Sequence, residues 1–418
     1  MTKQSVASRA LSLWLGLTLL IAGVTHAPRE AFATKVSANE DLAASDIRAV
    51  FGQTGSPQFE IGQNIWDAKD NTWVPAGNLT IVTDLVQQIH DTLAAAPYSY
   101  PDETTGNRCW PLHISHVIYK TNPRYKEEAL LVQTKHLRAG AGGTNQYLSL
   151  FIRNDKIKDG SNNSYWKLQK IVVGDRMISG VAEINAVGAT QFVYPSVADI
   201  AYEAKSGRLV VVYAIQKSPT ASGGYTAGEL QYHQPHFAVW DYTNAGISAA
   251  NGLEGPGFDV TEGLVYGNKT SAPGGSHHPA WIRLAPHPSE NVMILAWDCH
   301  FGELFARKWD PQNTAFSAST LIEPKLSKGH MDAGGDYDTL RPFDVAIEAS
   351  GRALIVYGDY ANDSGETAST STIRYRTLRL GTATDSTIDS DWLSERNLNR
   401  ILDNVNDGNT WEYGPSFV

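Results

Sequence analysis

The residues best suited to chemistry in this chain are its histidines. His113 and His116 stand in a His-Ile-Ser-His run, and His233 and His236 in His-Gln-Pro-His. His277 and His278 are adjacent, and His300 follows Cys299. Proton abstraction beside a carboxylate needs a base, an acid and a cation to hold the developing charge. His233, His236 and His278 offer the base, Tyr232 or Tyr119 the acid, and Arg341 the cation. His113, His116, His277 and His300 are candidates for ligand binding. The competing reading is that these histidines cap turns or sit half-buried as polar aromatics. A zinc site built on His233 and His236 needs a turn at Pro235, because residues i and i+3 of a strand face opposite sides.

Two further groups have metal or redox chemistry. Asp332, Asp336 and Asp338 put three carboxylates in one Gly-containing loop, a ligand set that suits Ca²⁺. The loop lacks a distal Glu at twelve-residue spacing, so it is no EF-hand, and a solvated turn is the alternative. The only cysteines, Cys109 and Cys299, form one disulfide in an oxidising compartment or stay as two buried thiols.

A repeated phrase indicates the elements that position these groups. Residues 199–213 read Asp-Ile-Ala-Tyr-Glu-Ala-Lys-Ser-Gly-Arg-Leu-Val-Val-Val-Tyr. The same phrase, one residue shorter, returns over residues 344–357. Each copy predicts strand, Ser-Gly-Arg turn, strand. A second pattern is an extended run ending at Trp-Asp, then a polar turn and an aromatic. Trp66-Asp67 leads to Trp73 and Trp309-Asp310 to Phe316, and Trp240-Asp241 opens a third turn. The patterns alternate, with inner hairpins starting near His113, Tyr194, His278 and Arg341 and outer ones near Trp66, Ile152, Trp240, Trp309 and Tyr375. Self-similarity of this kind implies an all-β repeat fold. One stretch breaks the rhythm. Residues 79–96 place Leu79, Val82, Leu85, Val86 and Ile89 at helical spacing before Pro97, predicting a short helical insertion.

The ends carry their own signals. Lys3 and Arg9 precede an apolar run, Ala10 to Val24, and Ala31-Phe32-Ala33 fits a small-x-small cleavage site. Residues 1–33 are therefore expected to be a signal peptide, residues 34–58 a leader, partly disordered or helical, and residues 59–418 the repeat domain. The chain is then exported, with no transmembrane segment after cleavage; the rival reading is an uncleaved membrane anchor, for which the apolar run is short. The full chain has net charge −10 and no cluster of basic residues, which disfavours nucleic acid as a partner. The final Tyr413-Gly-Pro415-Ser416-Phe-Val418 echoes Tyr194-Pro195-Ser196-Val197 at the start of an inner hairpin. Three readings follow: the terminal pieces combine in one closing unit, the domain is truncated, or the unpaired terminal strands support self-association.

The hairpins resemble the sialidase-like (BNR/Asp-box) group of β-propellers. Asn404-Val-Asn406-Asp407-Gly408-Asn409-Thr410-Trp411 comes closest to an Asp-box, and Asp67 to Trp73 is a fainter echo. The resemblance implies a β-propeller of about five to seven four-stranded blades. It does not carry the sialidase site, since no Arg-Ile-Pro phrase occurs. Three functions remain in view. The first is a secreted or cell-surface binding or adhesion module for carbohydrate or another surface polymer. The second is a polysaccharide lyase or glycoside hydrolase with a His/Tyr/Arg site at the propeller mouth. The third is a structural subunit of an extracellular assembly.

Overall fold

The computed structural model describes residues 47–54, 59–67, 69–74, 80–82, 84–96, 98–99, 109–121, 126–137, 144–153, 157, 165–174, 193–217, 235–240, 279–299, 304–317, 319–323, 343–359, 372–381, 389–394 and 396–397. These residues form five antiparallel sheets in chain order. The first holds β1 (Ile47–Thr54), β2 (Phe59–Asp67), β3 (Thr72–Val74) and β4 (Thr80–Val82). The second holds β5 (Cys109–Thr121), β6 (Lys126–Leu137), β7 (Thr144–Arg153) and β8 (Lys167–Gly174). The third holds β9 (Val193–Tyr202), β10 (Leu209–Lys217) and β11 (Pro235–Trp240). The fourth holds β12 (Pro279–Pro286), β13 (Met293–Cys299), β14 (Leu304–Asp310), β15 (Ala315–Phe316) and β16 (Thr320–Glu323). The fifth holds β17 (Phe343–Ile347), β18 (Arg352–Asp359), β19 (Thr372–Arg379) and β20 (Arg396–Asn397). The chain is all-β, with one helix of eleven residues, α1 (Asp84–Ala94), among the described elements. No helix there is long and apolar enough to cross a membrane.

First strands of successive sheets approach one another in chain order: β1 lies against β5, β5 against β9, β9 against β12 and β12 against β17. The sheets stack through alternating side chains. On β10, Leu209, Val211 and Tyr213 pack toward the second sheet, while Val210 and Val212 pack toward the fourth. On β13, Met293, Leu295 and Trp297 face the third sheet, and Ile294 and Ala296 face the fifth. A strand buried on both faces has no polar side to show, which is why these stretches read as unbroken apolar runs.

Two expectations are adjusted. Inside the stretch expected as a leader, residues 47–54 pair in register with β2, Ile47 opposite Trp66 and Thr54 opposite Phe59. The insertion expected over 79–96 begins as strand, because the β-branched Thr80-Ile81-Val82 pairs with β2 and α1 starts only at Asp84. Leu85, Ile89 and Leu93 then pack onto Leu130, Val132, Phe151 and Trp166 of the second sheet. Gln88 ties the helix to the sheet edge. Its amide donates to the Trp166 carbonyl at 2.8 Å and accepts from Leu168 N–H at 2.7 Å.

Beneath α1, His90 Nε2 and His136 Nδ1 share a hydrogen bond of 3.0 Å, and His136 Nε2 shares another with Thr134 Oγ1 at 2.7 Å. Burial pushes the His136 pKa down to about 3, and the neighbouring His90 adds to the effect. Burial also lowers the pKa of His90, partly opposed by Asp91. The Tyr147 ring stands edge-on to His136 and lies over Gly174, where an added Cβ would fall 2.1 Å from a ring carbon.

The two repeated phrases meet in space. The first Ser-Gly-Arg copy forms the β9–β10 turn, with Gly207 at φ 74° and Gly207 N–H donating to the Glu203 carbonyl at 2.8 Å. Glu203 is fully buried. Its carboxylate accepts Arg208 Nε and Nη2, each at 2.6 Å, the Ser206 hydroxyl, and Trp309 Nε1 at 2.6 Å. Arg208 also donates to the Pro311 carbonyl at 3.0 Å. The Trp-Asp hairpin of the fourth sheet is thus bolted to the Ser-Gly-Arg turn of the third. Asp310 holds that hairpin by accepting Gln312 N–H at 2.9 Å and the Asn313 side-chain amide at 2.7 Å, donors that keep its carboxyl below the usual range. A second grip comes from the β12–β13 turn, where Asn291 Oδ1 accepts the N–H groups of Lys205 at 2.7 Å and Ser206 at 3.2 Å.

Three outcomes are expected. Gly174→Ala drives a methyl into the buried Tyr147 ring and destabilises by about 1–3 kcal/mol; an unchanged denaturant midpoint would refute the close approach. Glu203→Ala strands Arg208 and removes the Trp309 acceptor, costing about 3–5 kcal/mol in the same measurement. Both histidines have folded pKa values below the ordinary 6.5, so the unfolded chain takes up more protons as pH falls. Their contribution is complete above 6.5 and is lost as pH drops toward 3, with His136 alone accounting for about 2 kcal/mol at pH 5. His136→Gln should flatten the decline of stability between pH 7.5 and 5, and an equally steep decline would show the pair to be irrelevant.

Candidate functional site

The first strands of four sheets bring one polar residue each to a common place. They are Ser115 on β5, Asp199 on β9, Arg283 on β12 and Asp344 on β17. Three of these strands carry proline four residues earlier, as Pro111–Ser115, Pro195–Asp199 and Pro279–Arg283. Proline lacks a donor for the ladder and is tolerated at strand starts and irregularities. Pairing shifts register next to Pro111 and next to Pro279. Asp298 supports the second irregularity by accepting Trp281 N–H at 2.5 Å, two residues before Arg283.

Asp199 is buried and accepts four donors. Oδ1 takes the Ser115 hydroxyl at 2.8 Å and Ile200 N–H at 2.9 Å. Oδ2 takes Leu284 N–H at 2.9 Å and Arg283 Nη1 at 3.5 Å. Asp344, also buried, accepts Arg283 Nε at 3.0 Å and Val345 N–H at 2.9 Å through Oδ1. Burial works against the Arg283 charge, but Asp199 and then Asp344 outweigh it and raise its pKa. The Arg283 side chain is 34% exposed, and among the described residues its Nη2 makes no hydrogen bond.

The arrangement can hold a ligand at the guanidinium. It is poorly suited to proton transfer through Asp199, whose oxygens are fully engaged. With formal charges of +1 and −2, the group carries −1, so an incoming anion meets net repulsion while neutral hydroxyls meet a fixed donor fork.

Of the residues expected from sequence, His236 lies on β11, buried and stacked on Tyr213 with ring centroids 5.5 Å apart. It belongs to the interior of the third sheet. His113 and His116 lie on β5, in register with Gln133 and Leu130. Cys109 opens β5 opposite His136, and Cys299 ends β13 opposite Pro279. Tyr232, His233, His277, His278, His300, Arg341, Asp332, Asp336 and Asp338 lie outside the described residues. Among the described residues no group of three or more His, Cys, Asp and Glu side chains is placed to hold a metal ion. Arg283 is absent from the residues the sequence singled out, and the recurrent Pro-x-x-x spacing is the signal that points to it.

No family model matches the chain, and no curated protein matches it. Several solved structures are distantly similar. A protein of unknown function from Dyadobacter fermentans is 13% identical with a TM-score of 0.38, over 84% of this chain and 79% of that one. The NanB sialidase of Streptococcus pneumoniae is 10% identical with a TM-score of 0.37, over 84% of this chain and 58% of that one. The Dos1 propeller is 12% identical with a TM-score of 0.30, over 81% of this chain and 55% of that one. The chain thus spans less than two thirds of the Dos1 propeller and of the sialidase.

Proposed function

We propose that this chain is an exported or cell-surface β-propeller that binds neutral carbohydrate at the Arg283 site. The five sheets act as blades, their first strands set side by side around one axis, with no joint of the Glu203–Trp309 kind between the fifth and the first among the described residues. Export rests on the Lys3/Arg9, Ala10–Val24 and Ala31-Phe32-Ala33 signals in the sequence. The observation that carries the binding reading is Arg283 itself: one third exposed, fixed by Asp199 and Asp344, with a donor left over. Vicinal sugar hydroxyls match a planar donor fork, and the surplus negative charge selects against uronates and sialic acids. Asp199 serves as a brace for the guanidinium rather than as a base, which favours binding over hydrolysis or elimination.

A glycan array probed with wild-type protein and Arg283→Lys tests this reading. Lysine keeps the charge that Asp199 and Asp344 need but loses the fork. Wild type is expected to retain neutral glycans, and the variant to bind them about 10- to 100-fold more weakly, as loss of a hydrogen bond from a charged donor implies. Undiminished binding by Arg283→Lys, or retention of acidic glycans alone, would overturn it.

A further inference from the structure

Among the described residues, two further segments carry the halves of the joint between the third and fourth sheets without forming such a joint. One is on the fifth sheet. The second Ser-Gly-Arg copy forms the β17–β18 turn with Gly351 at φ 80°, Glu348 N–H donating to the Arg352 carbonyl at 3.0 Å and Gly351 N–H to the Glu348 carbonyl at 2.9 Å. The first copy makes the corresponding bond from Glu203 N–H to the Arg208 carbonyl at 2.9 Å. Yet the Glu348 and Arg352 side chains are 55% and 50% exposed and stand 3.6 Å apart, where Glu203 is fully buried under Trp309.

The other half is on the first sheet. Asp67 Oδ1 accepts Lys69 N–H at 2.9 Å and Asp70 N–H at 3.1 Å, as Asp310 accepts from Gln312 and Asn313. Four residues after each aspartate the backbone turns left-handed, with Asn71 at φ 52° and Thr314 at φ 50°. Six residues after it an aromatic meets the tryptophan edge-on. Trp73 lies 5.4 Å from Trp66, and Phe316 lies 4.9 Å from Trp309. But Trp309 is fully buried, whereas Trp66 is only partly buried and Trp73 is 43% exposed. Among the described residues Trp66 Nε1 has no acceptor.

We infer that the chain associates head to tail with a second copy of itself, the Trp66 hairpin of one copy seating on the Glu348–Arg352 turn of the next. The polarity is right, because in the observed joint the Ser-Gly-Arg turn of one sheet receives the Trp-Asp hairpin of the following sheet. On the adjoining face of the fifth sheet Val356 is buried and Leu354 is the more open of the two. Leu354 is partly buried, while its counterpart in the first copy, Val210, is wholly buried against the fourth sheet. Both halves are exposed in a single chain, so a second copy engages them without rearrangement. A contact of this kind uses different patches on the two partners and so extends rather than closing on a twofold axis. The repeated turn chemistry favours this role for Trp73 over stacking on a sugar ring.

Sedimentation velocity on the full chain and two variants decides the matter. Wild type is expected to associate with rising concentration. Glu348→Lys has a live head and a dead tail; Trp66→Phe, which loses the N–H but keeps an aromatic, has the reverse. Each alone should associate at least tenfold more weakly, and an equimolar mixture should form a capped dimer and nothing longer. Glu348→Lys changes an exposed residue, so its fold should survive; should Trp66→Phe unfold, Trp73→Ser replaces it. A wild type that stays monomeric up to about 100 μM would overturn the proposal. So would a monomer that Glu348→Lys destabilises as strongly as Glu203→Ala does, which would mean the halves close within one chain. Quenching of tryptophan fluorescence by oligosaccharides without any association would likewise reassign Trp73 to sugar binding.

Discussion

Burial on both faces is the constraint that organises this chain. Val210 and Val212 on one side of β10, and Leu209, Val211 and Tyr213 on the other, are all withdrawn from water between neighbouring sheets. Removing a Val or Leu side chain from water is favourable by roughly 1.5–3 kcal/mol, so each interior strand contributes strongly. The same burial makes an unpaired charge on a sheet face prohibitive. Polar groups concentrate where the stacking ends. Among the described residues, one such group lies at the first strands, around Arg283, a second at the hairpin turns, around Glu203, and a third beneath α1, around His136. The proposed ligand site and the joint between sheets are thus products of one packing rule.

What the sequence made legible follows from distance along the chain. The Ser-Gly-Arg phrases were readable as turns because Gly207 and Gly351 sit at positive φ between two apolar runs, a signal contained within about fifteen residues. The Trp-Asp phrases were readable because an aspartate caps its own following N–H groups. That the two phrases touch was not readable, since Glu203 and Trp309 are 106 residues apart. The Arg283 group is built from four residues on four sheets, each unremarkable alone. Adjacency in sequence points to His233 and His236, of which His233 lies outside the described residues, whereas His90 and His136, which pair among the described residues, are separated by 46 residues. The helical period of Leu79 and Val82 points to a helix start about five residues early, because the run between them is β-branched and pairs with β2.

The two carboxylate clusters show how one chemistry serves different ends. Glu203 is enclosed and Arg208 largely so, and the donors that Glu203 accepts come from the protein, so the cluster is a fastener. Asp199 is equally saturated, but the cation it helps to hold is one third open to solvent. Carboxylates that fix a guanidinium by Nε and Nη1 orient its remaining edge without using it. Preorganisation of that sort lowers the ordering cost of binding. It also removes Asp199 from the list of groups able to take a proton from a substrate.

The contrast between Glu203 and Glu348 bears on specificity as well as on assembly. An exposed pair such as Glu348–Arg352 contributes roughly 0–1 kcal/mol, so the fifth sheet is not destabilised by standing open. Covering that pair costs desolvation, and a surface that supplies no further donor cannot offset it. At the third sheet, Trp309 Nε1 and the Pro311 carbonyl provide what the buried Glu203 and the partly buried Arg208 need beyond one another. A hairpin with the wrong turn, or an aromatic without an N–H, leaves part of the charge pair unsatisfied and is rejected for that reason. The turn that ends in an exposed ion pair is therefore selective through the penalty it imposes on poor partners, and the Trp-Asp hairpin of the first sheet carries the tryptophan N–H that avoids it.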